Sequence, residues 1–260
     1  MITILSPAKI FRELKEGEGK VYKPLQFHNE SLELIQVLKQ YDEEELAKLM
    51  KMSKDLAKIN KERYKNFHNL EEKNAYEALL YFHGEAYKGM EAENLTDEAK
   101  NYIHDHVRIL SGLYGMIKPL ECIKPYRLEM GTKFSNSVGK DLYAFWREKL
   151  TQALIKTLEQ TTGERVLLNL ASDEYSKVID FKRIESLYPV VKISFKEQKG
   201  ETYKVVGMYA KKARGMMIHY IGEKGIDSIE GIKAFSQEGY SLNLELSTPK
   251  HLVFTRNQEK

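Results

Sequence analysis

The spacing of apolar residues changes along the chain, from a helical pattern in the first 160 residues to short apolar runs after them. Between residues 31 and 110, apolar side chains recur at intervals of three and four, which predicts mostly helical structure. A further long helix is predicted at about residues 140–160, and Gly163 closes it. Short runs rich in Val, Ile and Leu then predict strands at 166–170, 190–195, 203–206 and 252–254.

The beginning of the chain adds one strand and completes the fold prediction. Ile2–Leu5 has the apolar character of a strand, and Ser6–Pro7 stops it because proline has no N–H for a strand ladder. This strand is a candidate to join the later sheet. The sequence has no internal repeat, low-complexity tract or Pro/Ser linker. We therefore predict a single α+β unit over residues 1–260, helix-rich in its first half and strand-rich in its second.

Three segments receive more specific predictions. Thr96 is the expected N-cap of a helix whose apolar face continues to Leu110, and Ser111–Gly112 ends that helix. Residues 111–139 combine glycines, prolines and aromatics, which indicates an ordered, irregular connection of the kind that often carries function. Another helix is predicted from Ala210 to Ile221.

Charge and cysteine content narrow the class of protein. The chain carries 41 basic and 38 acidic residues, and a net charge of +3 does not by itself imply a polyanionic partner. Cys122 is the only cysteine, so no internal disulfide forms and a reduced, cytoplasmic setting fits. Cys122 is a candidate redox sensor, although a small core residue is the commoner fate of a free thiol. No signal peptide or membrane-spanning run is present, so we expect a cytoplasmic protein without a membrane partner.

The densest basic cluster is Lys211-Lys212-Ala213-Arg214-Gly215. From Lys204 to Met217 there are four basic residues and no acidic one. The cluster opens a predicted helix, where cations are mildly unfavourable for the helix itself. That local cost favours a bound anion, and the alternative is a solvated basic face with acidic residues nearby in space.

A second basic segment lies within residues 108–133 and alternates with aromatic residues. Its cations are Arg108, Lys118, Lys124, Arg127 and Lys133, and its tyrosines are Tyr114 and Tyr126. Arginine can grip phosphate with two parallel hydrogen bonds, and aromatic rings can stack on exposed bases. Arg127 and Glu129 have the alternative of forming a structural ion pair.

Two predicted strand ends place polar residues where open sheets often carry function. Lys9 follows the first strand, and an ordinary exposed lysine is the alternative interpretation. Ser172, Asp173 and Glu174 follow the strand at 166–170, where Ser172 and Asp173 fit a helix cap. Glu174 is a candidate site residue, because a carboxylate can act as a general acid or base or can bind a metal ion.

Metal, cofactor and catalytic motifs give little support to an enzyme. His104 and His106 are two residues apart, so a helix directs their imidazoles to different sides. The sequence has no HExxH or CxxC motif and no phosphate-binding or dinucleotide-binding fingerprint. We therefore predict no metal site and no cofactor.

Seven segments, in order and over nearly the whole chain, resemble the YaaA peroxide-stress family. They are Ser6–Lys9, Phe82–Gly89, Arg108–Gly115, Lys118–Leu120, Pro125–Gly131, Asn169–Tyr175 and Tyr209–Gly215. The resemblance implies a role in surviving hydrogen peroxide that is linked to limiting free intracellular iron. It also implies DNA binding through a basic cleft, here placed between the two halves, and a helix-hairpin-helix-like element.

The segment that fits the implied hairpin is Leu49–Ser53. Ala57 lies at the expected spacing after it, and Lys54, Lys58, Lys61 and Arg63 follow. An exposed helix N-terminus with nearby lysines suits a phosphate. Lys51 and Ser53 replace the two usual glycines, which makes close approach of the amides to phosphate harder. An ordinary helical pair with solvated lysines is the alternative.

Two functional hypotheses follow. The first is a monomeric DNA-binding protein of the peroxide response, which binds double-stranded or structured DNA with weak sequence specificity. Its candidate DNA-binding residues are Lys9, Lys51, Ser53, Lys54, Arg63, Arg108, Tyr114, Arg127, Lys133, Lys211, Lys212 and Arg214. The second is an enzyme that acts on nucleic acid or a nucleotide-like anion in the same cleft. Its candidate residues are Lys9, Arg108, Lys211 and Arg214, with Glu129 and Glu174 as possible cleft carboxylates.

Overall fold

The computed structural model describes residues 1–69 and 71–257. The strands are β1 (Ile2–Leu5), β2 (Tyr76–Glu77), β3 (Val107–Ser111), β4 (Gly115–Ile117), β5 (Cys122–Ile123), β6 (Leu167–Asn169), β7 (Val190–Lys199), β8 (Thr202–Lys204), β9 (Ser241–Leu242) and β10 (His251–Arg256). The α-helices are α1 (His28–Leu38), α2 (Glu43–Met50), α3 (Lys54–Lys65), α4 (Ala78–Tyr81), α5 (Glu85–Met90), α6 (Asp97–His106), α7 (Leu142–Gln160), α8 (Asp173–Ser176), α9 (Phe181–Glu185), α10 (Gly207–Lys224) and α11 (Ile229–Lys233).

The main sheet has the strand order β4-β3-β1-β6-β7-β10-β9, and β8 pairs with the far end of β7. Strands β3, β1, β6, β7 and β10 are parallel to one another, whereas β4, β8 and β9 are antiparallel additions. Taken in chain order, the five parallel strands have the arrangement 2-1-3-4-5 of a doubly wound sheet. The direction of winding therefore reverses at β1. The next parallel strand in the chain, β3, lies on one side of β1, and the one after it, β6, lies on the other.

Burial explains why β1, β3 and β6 occupy the centre of the sheet. Every residue of these three strands is buried, and their sequences are nearly continuous apolar runs. Parallel strands covered by helices on both faces require such runs. The predicted strand at Ile2–Leu5 does join the later sheet, where it pairs with β6. The predicted fold class, a unit that combines helices and strands, is confirmed.

One predicted helix ends earlier than expected. Thr96 caps α6 as predicted, since its hydroxyl accepts a hydrogen bond from the Ala99 N–H at 3.2 Å. The helix ends at His106, and the next five residues form β3 instead of its last turns. The apolar residues from Val107 to Leu110 suit a strand buried on both faces, and pairing of β3 with β1 and β4 outweighs the local helical spacing. The interpretation of these residues as helical is therefore wrong.

Helices α5 and α10 cross at very short distance because each has a glycine at the contact. A Cβ on Gly215 of α10 would lie 1.7 Å from the Ala86 carbonyl oxygen, and one on Gly89 of α5 would lie 2.2 Å from the Lys212 carbonyl oxygen. Both positions exclude any side chain. The crossing fixes the first half of α10, which carries the basic cluster, against α5 and the loop that precedes it.

The remaining predicted elements agree with the structure apart from their boundaries. The helices predicted at 140–160 and 210–221 correspond to α7 and α10, and the four predicted C-terminal strands correspond to β6, β7, β8 and β10. Residues 111–139 contain the short strands β4 and β5 but are otherwise irregular, as predicted. No helix within the described residues combines the length and apolar character needed to cross a membrane.

Candidate functional site

A cavity of about 350 Å³ opens at the carboxyl edge of the sheet, where the winding reverses. Its floor and sides come from the loop after β1 and the loop after β6, two strands that are direct neighbours. Residues 83–88 and the basic part of α10 form the rest of the lining. In doubly wound sheets, ligands bind in the crevice outside the strand ends at this reversal. The topology alone therefore selects this cavity as the candidate site.

The two strand-end loops are joined by a pair of serines. Ser6 Oγ accepts a hydrogen bond from the Ser172 N–H at 2.9 Å, and the two hydroxyl oxygens are 3.2 Å apart. The Tyr87 hydroxyl donates to the Ser6 carbonyl oxygen at 3.1 Å, which ties the start of the same loop to α5. Pro7 then directs the chain away from the sheet. These contacts set the position of Lys9 on one rim of the cavity.

Lys211 and Arg214 bring positive charge to the cavity from α10. They are three residues apart and both line the cavity, so they lie on one face of the helix. Arg214 is partly buried, and its Nε is enclosed without a hydrogen-bond partner among the described residues. Burial lowers the pKa of the Arg214 guanidinium, and the nearby Asp173 carboxylate opposes that change. A desolvated guanidinium with an unused donor favours an anionic ligand.

Lys9 and Arg127 share one carboxylate oxygen of Glu129. Lys9 Nζ and Arg127 Nη2 each lie 2.8 Å from Glu129 Oε1. Only 10% of the Glu129 side chain is exposed, compared with 57% for Lys9. Glu129 Oε2 and Arg127 Nε are buried and have no hydrogen-bond partner among the described residues. The group thus keeps one hydrogen-bond acceptor and one donor unused, and its two cations and one carboxylate leave one net positive charge.

Neighbouring contacts explain why the Arg127–Glu129 segment reaches this position. The Tyr64 hydroxyl of α3 donates to the Arg127 carbonyl oxygen. Gly112 permits close approach from the other side, because a Cβ there would lie 2.3 Å from the Leu128 carbonyl oxygen. The segment is therefore clamped between α3 and the turn after β3. Its position depends on residues that carry no charge.

Glu174 adds a second carboxylate to the lining. Its Oε1 accepts a hydrogen bond from the Gly131 N–H at 3.2 Å, which joins α8 to the segment that holds Glu129. Tyr143 donates its hydroxyl to the Glu174 carbonyl oxygen at 2.8 Å and fixes the backbone. Ser172 precedes α8 as predicted for a cap residue, but its hydroxyl contacts Ser6 instead of an α8 N–H.

The structure therefore gathers six of the fourteen predicted site residues and separates the others. Lys9, Glu174, Lys211 and Arg214 line one cavity, and Arg127 and Glu129 are connected to it through Lys9. Lys212 points elsewhere and pairs with Glu238 at 2.5 Å. Lys133 is exposed.

Arg108 lies at the opposite edge of the sheet, where it supports the end of α6. Its Nη1 donates to the carbonyl oxygens of His104, Asp105 and Val107 at 2.8 to 3.2 Å, and the residue is 6% exposed. It borders a different cavity of about 470 Å³, together with Lys118 and other residues. The expectation that Arg108 shares a cleft with Lys9 and Arg214 is wrong, because β3 places it at the amino end of the parallel strands.

Tyr114 is a core residue rather than a platform for a nucleobase. The side chain is fully buried, and its ring packs edge-on against Tyr126. Its hydroxyl exchanges hydrogen bonds with both the N–H and the carbonyl oxygen of Lys124. Both ring faces are covered by the core, so the predicted stacking role is corrected to a structural one.

The segment predicted as a hairpin does join two helices, α2 and α3. Lys51 adopts φ of +50°, a conformation that usually favours glycine. The N–H groups of Lys51 and Met52 both bond to the Ala47 carbonyl oxygen, so neither points freely at a ligand. The Ser53 hydroxyl caps α3 by accepting from the Leu56 N–H. The N–H groups of Lys51, Met52 and Leu56 are therefore already used within the protein.

Cations and acids are mixed around this turn. Lys54 pairs with Glu44 at 3.1 Å, and Glu44 lies within a first turn of α2 that is entirely acidic. Arg63 is half-buried, and its Nη1 lies 3.4 Å from Asn60 Oδ1. Burial lowers the pKa of Arg63. The positive charge of this surface is weaker than the lysine count of the sequence indicates.

Sequence reasoning overlooked the groups that shape the cavity. Ser6, Ser172 and Tyr87 hold its walls together, and the signal available was the pair of serines directly after two predicted strands. Residues 83–88 also line it, and they belong to the Phe82–Gly89 segment of the family resemblance, to which sequence reasoning assigned no site role. Within residues 1–69 and 71–257, no three His, Cys, Asp or Glu side chains gather as they would around a metal ion.

Comparison with known proteins gives one family. The sequence pattern of the family described as peroxide stress protein YaaA matches residues 1–246. A UPF0246 protein of Legionella pneumophila (strain Lens) is 46% identical over 259 residues, which cover 98% of this chain and 99% of that protein. A UPF0246 protein of Magnetococcus marinus is 42% identical over 258 residues, 99% of both chains. One of Saccharophagus degradans is 42% identical over 262 residues, 99% of this chain and all of its own length.

Proposed function

This chain belongs to the peroxide stress protein YaaA family, and we propose that it acts in the peroxide response by binding DNA in the cytoplasm. The proposed contact is between DNA phosphates and the cations around the cavity. The family resemblance also implies a lowering of free iron. In this proposal that lowering is an indirect effect of DNA binding.

The observation that carries the proposal is the convergence of cations from distant parts of the chain. Lys9, Lys211 and Arg214 come from two distant segments and line one opening, and Arg127 is connected to them through the Glu129 carboxylate that also binds Lys9. Lysine and arginine contacts to phosphate release counterions and supply most of the affinity of weakly specific DNA binding. The overall charge of +3 is small, so a local concentration of this kind is what such binding requires.

The hairpin between α2 and α3 is a secondary contact in this proposal. Tyr64 of α3 bonds to the backbone of Arg127, so α3 packs directly against the segment that carries Arg127. Lys51 and Lys54 are exposed there. In this proposal, duplex DNA that lies across the cavity takes these lysines as additional phosphate contacts.

Fluorescence anisotropy with labelled duplex DNA over a salt series tests the proposal. We expect binding at low salt that weakens linearly in a log–log plot, with a slope near −0.9 for each phosphate neutralised. The double variant Lys211→Gln/Arg214→Gln should lower the magnitude of the slope by about 2, because it removes two phosphate contacts.

The matched control removes two charges at the other edge of the sheet. Lys118 and Lys156 border the cavity beside Arg108, and the variant Lys118→Gln/Lys156→Gln should keep the wild-type slope. A Lys51→Gln/Lys54→Gln variant measures the share of the hairpin. No DNA binding at low salt, or equal losses in the cavity variant and the control, would contradict the proposal.

A second candidate function is an enzyme that acts on a nucleotide-like anion in the same cavity. The observation in its favour is Glu129, whose Oε2 is buried without a partner while its Oε1 holds Lys9 at 2.8 Å. A carboxylate and an amine at this distance can exchange a proton with a bound substrate. Glu129→Gln should abolish turnover and retain ligand binding in an assay of nucleotide products. Absence of product with DNA and with free nucleotides would count against this function.

A further inference from the structure

The cavity is a partly enclosed cleft, and its volume is that of a small-molecule site. At about 350 Å³ it falls within the range of roughly 300 to 1,000 Å³ that is usual for ligand pockets. A DNA duplex is too wide to enter such a space, so its phosphates can contact only the cations at the opening. A single nucleotide unit or a strand end can enter it.

The lining separates three kinds of chemistry. Lys211 and Arg214 form a cationic wall on α10. Glu174, on α8, contributes a carboxylate from a different element, and no ion pair joins it to either cation within the described part of the chain. Between them the wall is largely apolar and includes Pro7, Ala8, Ala86 and Leu170.

This combination matches the parts of a phosphorylated nucleoside. Two adjacent cations suit a phosphate monoester, which carries a charge of about −1.5 to −2 near neutral pH, better than a phosphodiester with one charge. Carboxylates at the strand ends of doubly wound sheets accept hydrogen bonds from sugar hydroxyls. Apolar walls and the nearby Tyr87 ring suit the flat face of a base.

We infer that the cavity is a subsite for one nucleoside that carries a terminal phosphate, with the phosphate held by Arg214 and Lys211. The ligand is either a free nucleoside monophosphate or the phosphorylated end of a DNA strand, since both present the same chemistry. If the ligand is the phosphorylated end of a DNA strand, the inference rests on the proposed DNA binding and makes it more specific. If the ligand is a free nucleoside monophosphate, the inference does not depend on DNA binding.

Arg214 is the more selective of the two cations. Its Nε is enclosed without a partner among the described residues, so an incoming oxygen would satisfy a buried donor rather than replace water. Lys211 is exposed, and its replacement leaves the packing of α10 intact. Lys211→Gln is therefore the variant with the lower risk of misfolding, and Arg214→Gln is the one with the larger expected effect.

Isothermal titration calorimetry with each of the four deoxynucleoside 5′-monophosphates tests the inference directly. We expect at least one to bind, and its deoxynucleoside without phosphate to bind at least tenfold more weakly. Lys211→Gln should weaken monophosphate binding about tenfold and Arg214→Gln by more, as expected for charge-assisted hydrogen bonds. The control Lys156→Gln should bind as the wild type does.

A second measurement identifies the source of the ligand. Anisotropy compares otherwise identical DNA with a 5′-phosphate or a 5′-hydroxyl at a recessed end. A tenfold preference for the phosphorylated end that disappears in Lys211→Gln assigns the subsite to DNA ends. Monophosphate binding without end preference assigns it to free nucleotides.

The two measurements separate this inference from the proposed function. Monophosphate binding in a protein that binds no DNA would refute the proposed function and support the subsite. DNA binding with neither monophosphate binding nor end preference would overturn the subsite and leave the proposed function standing.

Discussion

The close crossing of α5 and α10 yields the sharpest structural prediction, through the variant Gly215→Ala. An ideal Cβ on Gly215 would lie 1.7 Å from the Ala86 carbonyl oxygen and 2.7 Å from the Met90 nitrogen, whereas real Cβ atoms essentially never approach within 3.0 Å. Both neighbours are backbone atoms, so no side-chain rotation relieves the overlap. The two helices would have to separate along their whole contact.

Two opposing effects determine how much Gly215→Ala changes the free energy of unfolding. Alanine is favoured over glycine in a helix interior by about 1 kcal/mol. Overpacking at a tight contact costs about 1–3 kcal/mol, and a clash between backbones falls at the upper end. We therefore expect Gly215→Ala to lower the free energy of unfolding by about 1–2 kcal/mol and to displace Lys211 and Arg214 from the cavity.

Urea denaturation of Gly215→Ala beside Gly207→Ala isolates the effect. Gly207 is the first residue of the same helix, and a Cβ there would meet no atom within 4 Å. Gly207→Ala should therefore be neutral or slightly stabilising, by a few tenths of a kcal/mol. If Gly215→Ala proves as stable as Gly207→Ala, the described crossing is incorrect and so is the placement of the basic cluster.

Three further predictions concern groups around the site. Tyr64→Phe removes the hydroxyl that donates a hydrogen bond to the Arg127 carbonyl oxygen and should lower the free energy of unfolding by about 1–2 kcal/mol in urea. The Lys124 ammonium donates hydrogen bonds to the Phe67 and Asn69 carbonyl oxygens. Lys124→Met removes this donor and should lower the free energy of unfolding by about 1–3 kcal/mol in the same assay. Burial lowers the pKa of His104 below 6.5, so the stability it contributes is complete above pH 6.5 and is lost as the pH falls below that value. Urea curves from pH 5 to 7.5 should show this slope, and His104→Asn should flatten it.

The pattern of apolar residues predicted most elements but not their arrangement. Helices α7 and α10 and the later strands followed from local spacing and from Gly163. The parallel order of the strands depends on pairing between segments more than 100 residues apart, such as β1 with β3 and β6. The apolar stripe from Ile103 to Leu110 fits a helix locally, and only the position of β1 makes its second half a strand.

The same distinction applies to the site. Lys9, Lys211 and Arg214 were predicted from their positions next to strand ends or in a basic cluster, because such features are local. Their convergence was not predictable, since about 200 residues separate Lys9 from Arg214 in the sequence. Arg108 and Tyr114 were assigned to DNA because residue type indicates chemical capacity and not burial, and both are buried.

The most direct test of DNA binding at the cavity compares lysine acetylation of the unmodified protein with and without duplex DNA. Mass spectrometry reads all lysines in one sample, so no variant has to fold. DNA bound as proposed should protect Lys9 and Lys211 from acetylation and leave Lys156, at the opposite edge of the sheet, as reactive as in the free protein. Equal reactivity of Lys9 and Lys211 with and without saturating DNA would contradict the account.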